Sequence, residues 1–215
     1  MREYDVDFFI KENGDCPVKE FLLSLDKKMR AKLLVELDLL EENGPQLREP
    51  YSKHLEDGIF ELRSKQGSDI TRVLYFFFVG KKIVLTNGFT KKTQKTPRAE
   101  IAAAKKIPCG IHRAKGESLM SDFRKFLDEQ LEDPELKAEW DALQPERALV
   151  QAMIDARKRT GLTQQQLAEK TGISQSDISK FETGGGNPSI KTLQRLATGM
   201  GMILHVEFKP ATGTH

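Results

Sequence analysis

Cysteine, tryptophan and long apolar runs are scarce in this 215-residue chain, and each scarcity removes a class of protein. The two cysteines, Cys16 and Cys109, stand far apart, with neither a CxxC pair nor a histidine-rich neighbourhood. That excludes a disulfide-built scaffold and a cysteine-based zinc site, and it suits the reducing cytoplasm. The longest apolar run, Val73 to Val79, has seven residues, whereas a membrane-spanning helix needs about 20. The first residues, MREYDVDFF, alternate charged and aromatic side chains and lack the apolar stretch of a secretory signal. Neither sign of charge dominates, since 34 Lys and Arg face 32 Asp and Glu for a net charge of +2. With 38% hydrophobic residues the chain can still build a core, and its length fits one large domain or two small ones.

The near-neutral total hides an uneven distribution. Residues 61–106 hold 11 basic and 3 acidic side chains, residues 121–146 hold 3 and 9, and residues 147–200 hold 8 and 4. A basic patch followed by an acidic stretch suits a polyanion site and something able to cover it. On charge alone, two ordinary solvated faces give the same pattern.

Periodicity divides the chain near residue 107. Residues 3–10 (EYDVDFFI) alternate at period two and predict a strand. Pro17 takes an N1-like position after Asp15-Cys16, and Val18, Phe21, Leu22 and Leu25 recur at helical spacing. Asp26 can cap a second helix carrying Leu33, Leu34, Leu37 and Leu40, ending at Asn43-Gly44-Pro45. Strand-like runs at Ile59–Arg63, Ile70–Val79 and Ile83–Thr90 are separated by Gly67-Ser68 and Gly80-Lys81, and Pro97 opens an Ala-rich helix from Arg98 to Lys106. This is the order of an α+β domain over residues 1–106. Residues 107–119 lack an amphipathic period and read as a linker. From Met120 the pattern is helical: one helix beginning at Met120–Asp122, one from Pro134 with Trp140 and Leu143, and one from Pro145 to Arg159. Short helices punctuated by Gly161, Gly172 and Gly184-Gly185-Gly186 follow. The tail Met202–Phe208 has strand composition, so residues 120–215 are expected to be all-α with a C-terminal strand.

The last third carries a recognisable frame. Thr163 can cap a helix bearing Gln164, Leu167 and Ala168; Gly172 makes a turn; Ser174 caps a helix whose Ile178 and Phe181 face inward. LTQxxLA, the G-I-S turn, I-S-x-x-E and N-P-S-I-x-T-L-x-x-L-A together resemble the helix-turn-helix of the phage-repressor-like (XRE/Cro) family. The resemblance implies a DNA-binding core at 147–200 that acts as a homodimer on palindromic operator DNA, with half-sites about one helical turn apart. It places Gln175, Ser176, Ser179 and Lys180 at base edges in the major groove, where Gln can pair with adenine and Lys with guanine. Gln164 and Asn187 would hold phosphates. The triple glycine departs from the family's single glycine with charged neighbours, which weakens the phosphate contacts expected of that loop. Ahead of this frame, FLDEQLEDPELKAEWDAL resembles the N-terminal extension of HigA-type antitoxins, which makes Phe123, Phe126, Leu127 and Trp140 candidate toxin–antitoxin contacts, within one chain or between chains.

The first half carries its own pattern. K-x-L-x-x-G-I-x-E-L-R ends at Arg63, R-V-x-Y begins at Arg72, and G-F-x-K-K-T-x-K-T-P runs from Gly88 to Pro97. These resemble the HigB toxins of the phage Gp49-like branch of the RelE/ParE superfamily, and the likeness implies a RelE-like fold and a ribosome-dependent endoribonuclease acting on mRNA. Such cleavage uses the RNA's own 2′-hydroxyl as nucleophile; it needs cations for the phosphorane charge and proton carriers, but no metal or other cofactor. By family position Arg63 and Arg72 would grip the phosphate, with Lys91 or Lys92 stabilising the transition state. His54 and Glu61 are candidate proton carriers. The same cations could instead be salt-bridged scaffold or a solvated helix start. RelE's tyrosine near the end of the domain has no counterpart here, since Tyr51 and Tyr75 lie elsewhere.

Together the halves imply a type II toxin–antitoxin pair in one cytoplasmic polypeptide, with the acidic 121–146 segment a candidate partner for the basic 61–106 segment. Three alternatives remain at this level: a DNA-binding repressor with an inactive toxin-like domain, a ParE-like gyrase inhibitor, and an engineered fusion of two proteins. One further prediction follows from the linker. Lys115-Gly116-Glu117 can be encoded AAA-GGA-GAG, a purine-rich ribosome-binding sequence at suitable spacing before Met120. If the linker is translated intergenic DNA, the gene's codons 115–117 contain a GGAG core; codons without it reject that origin.

Overall fold

In the computed structural model of the chain, residues 3–47, 49, 51–91, 96–107, 120–182 and 186–207 are described. Two compact units divide at Arg147/Ala148. The division therefore does not fall in the expected linker at 107–119, most of which lies outside the described residues. Residues 120–147, grouped in the sequence with the helical half, belong spatially to the first unit.

The first unit is built on a mixed six-stranded sheet. Strand β1 (Asp5–Phe9) buries Val6 and Phe8, as its alternation requires. Helix α1 (Pro17–Ser24) starts on Pro17, whose missing N–H costs nothing at that position. Asp26 caps α2 (Lys27–Asn43) by accepting the Met29 N–H at 3.0 Å. The helix stops at Gly44, where φ is +51° and a Cβ would fall 2.2 Å from the Tyr4 ring, so only glycine fits. A short strand β2 (Ser52–His54), which its sequence did not signal, precedes the meander β3 (Ile59–Gln66), β4 (Asp69–Phe78) and β5 (Lys82–Thr90). Helix α3 (Arg98–Lys105) completes the toxin-like segment.

The strand order is β2-β3-β4-β5-β1-β6, where β6 is Met120–Asp122. β1 runs parallel to β5 and antiparallel to β6, and the other pairs are antiparallel. Successive side chains alternate between the two faces. Helices α1 and α2 cover the face bearing Leu62, Val73 and Tyr75; Phe21 of α1 sits so close to Gly88 that a Cβ there would lie 2.0 Å away. The other face carries α3, whose Ala104 packs with Ile59 and Leu74. That face also holds the charged groups described below.

The expectation that Met120–Asp122 begins a helix is corrected: these residues are strand, and the helix α4 runs Phe123–Leu131. β1 offers a free edge there, and backbone pairing outweighs a weak local helix preference. From α4, Phe123 and Phe126 meet Phe8 edge-on, with ring centroids 6.1 and 5.3 Å away, and both are buried with Leu127 and Leu136. Trp140 is only half-buried. The two helices expected from Pro134 and Pro145 form one, α5 (Pro134–Thr160). Pro145 removes one backbone bond and does not end the helix; the Gln144 side chain adds a donor to the Trp140 carbonyl at 3.2 Å in that turn.

The expected pairing of the acidic 121–146 stretch with residues 61–106 is also corrected. Apart from the internal Lys137–Asp141 pair, the described ion pairs of its acidic residues go to α1 and α2: Lys27 holds Asp133 at 2.7 Å and Glu135 at 2.8 Å, and Lys19 and Lys28 approach Glu129 and Glu139. In the reverse sense, Arg124 binds Asp38 and Glu41, and Arg147 binds Asp38 and Glu42, on the buried side of α2. Exposed pairs of the first kind contribute about 0–1 kcal/mol each. Truncating a buried Phe costs about 3–5 kcal/mol, so the aromatic wedge outweighs any exposed lysine pair.

The second unit contains the rest of α5 and three short helices, α6 (Gln164–Thr171), α7 (Gln175–Phe181) and α8 (Ile190–Gly199). Each cap is side-chain mediated: Thr163 and Gln166 form a reciprocal capping box, Ser174 accepts from Asp177 N–H, and Ser189 from Thr192 N–H. Gly172 takes φ +65° in the turn between α6 and α7. Met153, Leu167, Ile173, Ile178, Leu196 and Met200 make the core. The expected C-terminal strand is absent: residues 202–207 have no regular secondary structure, and residue 208 lies outside the described residues. No strand exists within this unit's described residues for it to pair with. No helix among the described residues is long and apolar enough to cross a membrane.

Glu36 of α2 generates a prediction. It is buried, and burial pushes its carboxyl up to about 8, with Glu146 adding to the rise while Lys32, the Ser64 hydroxyl and Arg72 oppose it. The folded chain thus keeps a proton that the unfolded chain releases near an ordinary glutamate value. Stability from this group is complete below that ordinary value and is lost as pH rises toward about 8. Glu36→Gln should therefore be progressively more stable than wild type as pH rises over that window. Urea unfolding followed by fluorescence of Trp140, the single tryptophan, checks it; parallel pH profiles would reject the assignment.

Candidate functional site

The register of the sheet decides which of the candidate residues meet. Arg63 on β3 stands opposite Arg72 on β4, Glu61 is two residues before Arg63, and Lys53 on β2 stands opposite Glu61. All four lie on the α3 face. Lys91 follows β5, tied by its N–H to the Ile70 carbonyl at 2.7 Å. Lys53, Leu55, Glu56, Glu61, Arg63, Lys91, Thr96 and Ile101 line an open cleft of ≈ 280 Å³.

Glu61 is the hub of this cleft. It is 1% exposed; its Oε1 accepts Arg63 Nε at 2.7 Å and lies 3.7 Å from Arg72 Nε, while its Oε2 accepts the Thr96 hydroxyl at 2.5 Å. Burial alone would raise its carboxyl, but the Thr96 and Arg63 hydrogen bonds and both guanidinium charges outweigh that and hold it below the usual range. An anion so held is a poor proton acceptor and a good spacer between two like charges. Arg72 is itself 8% exposed and anchored by Nη1 to the Thr71 carbonyl at 2.7 Å. Arg63 is more open and also approaches Glu49 at 3.4 Å. Burial first, then the cations Arg72, Arg63 and Lys53, push the Lys91 ammonium below its ordinary value, against the pull of Glu61.

The geometry thus gathers Glu61, Arg63, Arg72 and Lys91. His54 is not with them. It pairs with Phe60, and its ring meets Phe60 edge-on at 5.0 Å, in an aromatic group with Tyr75 and Phe77 on the opposite face of the sheet. One residue of strand separates it from Lys53, and that step alone turns it away. Tyr75 bonds Ser52 across that face, and burial pushes both its hydroxyl and that of Tyr51 up. Lys92 lies outside the described residues. Lys53 and Thr96 are positions of the two quoted patterns, but neither is among the residues expected in the site. Lys53 reaches the cleft only because the unsignalled strand β2 brings it there, and Thr96 because α3 is anchored by Asn87 on Glu100 at 2.6 Å.

In the helical unit, Gln175, Ser176 and Lys180 of α7 are exposed, Ser179 is half-buried, and Asn187 is exposed after the loop. Lys180 Nζ bonds Asp177 at 2.9 Å, and that bond first, with Ser174 adding, holds the Asp177 carboxyl below its usual range. Gln164 is turned inward: its Nε2 donates to Glu182 Oε2 at 2.9 Å, which differs from the phosphate contact expected of it. Glu182 is 4% exposed and also binds Arg157 in a two-bonded fork at 2.6 and 3.1 Å. This ties α5, α6 and the end of α7 together and explains the glutamate of the I-S-x-x-E pattern as structural. Gly184 and Gly185 lie outside the described residues.

Comparison with known proteins agrees with both patterns. Residues 20–107 match the family of phage-derived Gp49-like proteins, and residues 153–203 match a helix-turn-helix family. Antitoxin HigA1 of Mycobacterium tuberculosis is 37% identical over 65 residues, 30% of this chain and 44% of that protein. An HTH-type transcriptional regulator of Haemophilus influenzae is 34% identical over 59 residues, 27% of this chain and 60% of that protein. The HTH-type transcriptional regulator y4dJ of Sinorhizobium fredii is 39% identical over 56 residues, 26% of this chain and 71% of that protein. The chain thus spans less than half the length of the curated antitoxin it matches. Through its last third the chain belongs to the helix-turn-helix transcriptional regulators, and it joins to that module a Gp49-like domain.

Proposed function

We propose that the chain is a toxin and its antitoxin in one polypeptide: an RNA-cleaving domain, a neutralising segment at residues 120–147, and a DNA-binding autorepressor. The observation that carries the first part is the opening of Arg63 and Lys91 onto one cleft, with Arg72 buried beside them and the repulsion among the cations buffered by Glu61. In this reading the two guanidiniums hold an RNA phosphate and the charge that grows on it. The 2′-oxygen attacks phosphorus, its proton passing to solvent, and the P–O5′ bond breaks. The products are a 2′,3′-cyclic phosphate and a 5′-hydroxyl, whose oxygen takes its proton from Lys91, a lysine whose lowered affinity for protons suits that step. Glu61 positions the arginines. That the substrate is mRNA on the ribosome rests on the sequence resemblance alone.

Residues 120–147 do not line the cleft; they cover the β1 edge and α2. Neutralisation by this segment therefore works by adding bulk at a distance from the reacting groups, and tethering keeps its local concentration high. The helix-turn-helix supplies DNA binding. Gln175, Ser176 and Lys180 face the base edges, and the contact of two copies gives the two half-sites.

Two experiments test these parts. Phe126→Asp with Leu127→Asp should loosen the segment and release cleavage of a ribosome-bound reporter mRNA, with circular dichroism checking that the domain stays folded. Adding Arg63→Ala and Arg72→Ala should abolish that cleavage, whereas cleavage unchanged by their loss would refute the site. For the repressor, Gln175→Ala should weaken binding to the DNA upstream of the chain's own gene by about 1–3 kcal/mol at one base position. Fluorescence anisotropy measures this, and equal affinity for every base at that position in the wild type would reject direct readout by Gln175.

A further inference from the structure

The cleft holds one charged group that phosphate binding and cleavage leave idle. Glu56, in the turn between β2 and β3, lines it together with Arg63 and Lys91. Its carboxylate is exposed, and among the described residues it is bound only by Lys105 of α3, at 2.7 Å. An ionised carboxylate has about four lone-pair sites, so most of its accepting capacity stays free. A bare anion beside the cations of a phosphate site repels the polyanion that site receives, so its place there calls for a role of its own.

The sheet register orders the groups around it. Arg63 stands next to Tyr51, to whose carbonyl its N–H donates; Lys53 then faces Glu61, and Leu55 faces Ile59. Glu56 follows at the turn, where Asp57 and Gly58 take φ +50° and +74° and the Ile59 N–H returns to the Glu56 carbonyl. Leu55 and Ile101 line the same cleft, partly buried, and pack on Ile59, Leu74 and Ala104. Along the strand, cations therefore give way to an apolar wall and the wall to a carboxylate. Phosphate, base plane and base edge follow in that order in a nucleotide. The cleft's ≈ 280 Å³ lies near the lower end of small-ligand sites, about 300 Å³, which suits one nucleotide and not a duplex.

The carboxylate selects among the bases. Guanine alone presents two adjacent donors on its Watson–Crick edge, N1–H and the 2-amino group, and one carboxylate accepts both. Adenine and cytosine set a ring-nitrogen acceptor beside their amino group, and uracil flanks its N3–H with two carbonyls, so each meets Glu56 with repulsion. We propose that the cleft reads one base of its RNA, a guanine packed against Leu55 and Ile101 with its Watson–Crick edge on Glu56. This deepens the RNA-cleaving reading and rests on it.

Residues 120–147 do not line the cleft, so the intact chain serves for the test. Guanosine, inosine and adenosine 3′-monophosphates are titrated into it and followed by amide NMR spectra. The guanosine nucleotide should bind about tenfold tighter than the adenosine one. Inosine, which keeps N1–H and lacks the 2-amino group, should fall between, a grading that a merely structural Glu56 would not produce. Glu56→Ala, an exposed change whose fold the same spectra verify, should bring the guanosine and adenosine nucleotides to equal affinity. Arg63→Ala should weaken all three alike. Equal affinities in the wild type, or a preference that survives Glu56→Ala, overturn the guanine subsite; the RNA-cleaving reading then still stands if Arg63→Ala weakens binding. Failure of every nucleotide to bind overturns both.

Discussion

Strand β1 is hydrogen-bonded on both sides, and the place of residues 120–147 in the first unit follows from that pairing. One side pairs in parallel with β5; the other is filled by β6, contributed from beyond the linker. Once β6 is laid down, α4 is delivered over Phe8, and Phe123, Phe126 and Leu127 become part of the core. Arg124 and Arg147 then neutralise the acidic side of α2, which would otherwise present Asp38 and Glu41 uncompensated. A segment that completes a sheet and a core is bound far more firmly than one held by surface charge.

The same sheet sorts chemistry by face. Its α1/α2 side takes His54, Phe60, Tyr75 and Phe77, and its α3 side takes the guanidiniums and the carboxylate between them, with Phe89 among the apolar contacts of α3. Glu61 resolves a conflict that the sheet creates: Arg63 and Arg72 stand opposite each other on adjacent strands, and two like charges so placed repel. A buried carboxylate fixed by Thr96 sits against both, and Arg63 stays open to the cleft. In the helical unit Glu182 performs a comparable service, holding Arg157 and Gln164 so that the outward side chains of α7 rest on a fixed frame.

Much of this was legible in the chain. The alternation of β1, the Asp26, Thr163 and Ser174 caps and the three meander strands are local signals, because a cap or a turn involves groups only a few residues apart. The helix-turn-helix frame and the pairing of Arg63 with Arg72 were legible for the same reason, since a hairpin fixes its own register. Strand β2, strand β6 and the continuity of α5 through Pro145 were not. Each depends on a partner distant in sequence or on a neighbour that offsets a local cost.

By itself, then, the sequence determined two modules, their classes and a short list of cations, because those follow from spacing and from side-chain chemistry. Tertiary structure decided which residues share a face and which segment completes which core. It turned His54 away from Glu61, brought Lys53 and Thr96 to the cleft, and sent the acidic stretch to α1 and α2 rather than to the basic meander. It also left residues 202–207 without regular secondary structure. Net charge over a window acts at long range and without direction, so it cannot choose among surfaces. Hydrogen-bonded edges and close-packed aromatic rings are directional and short-ranged, and they choose.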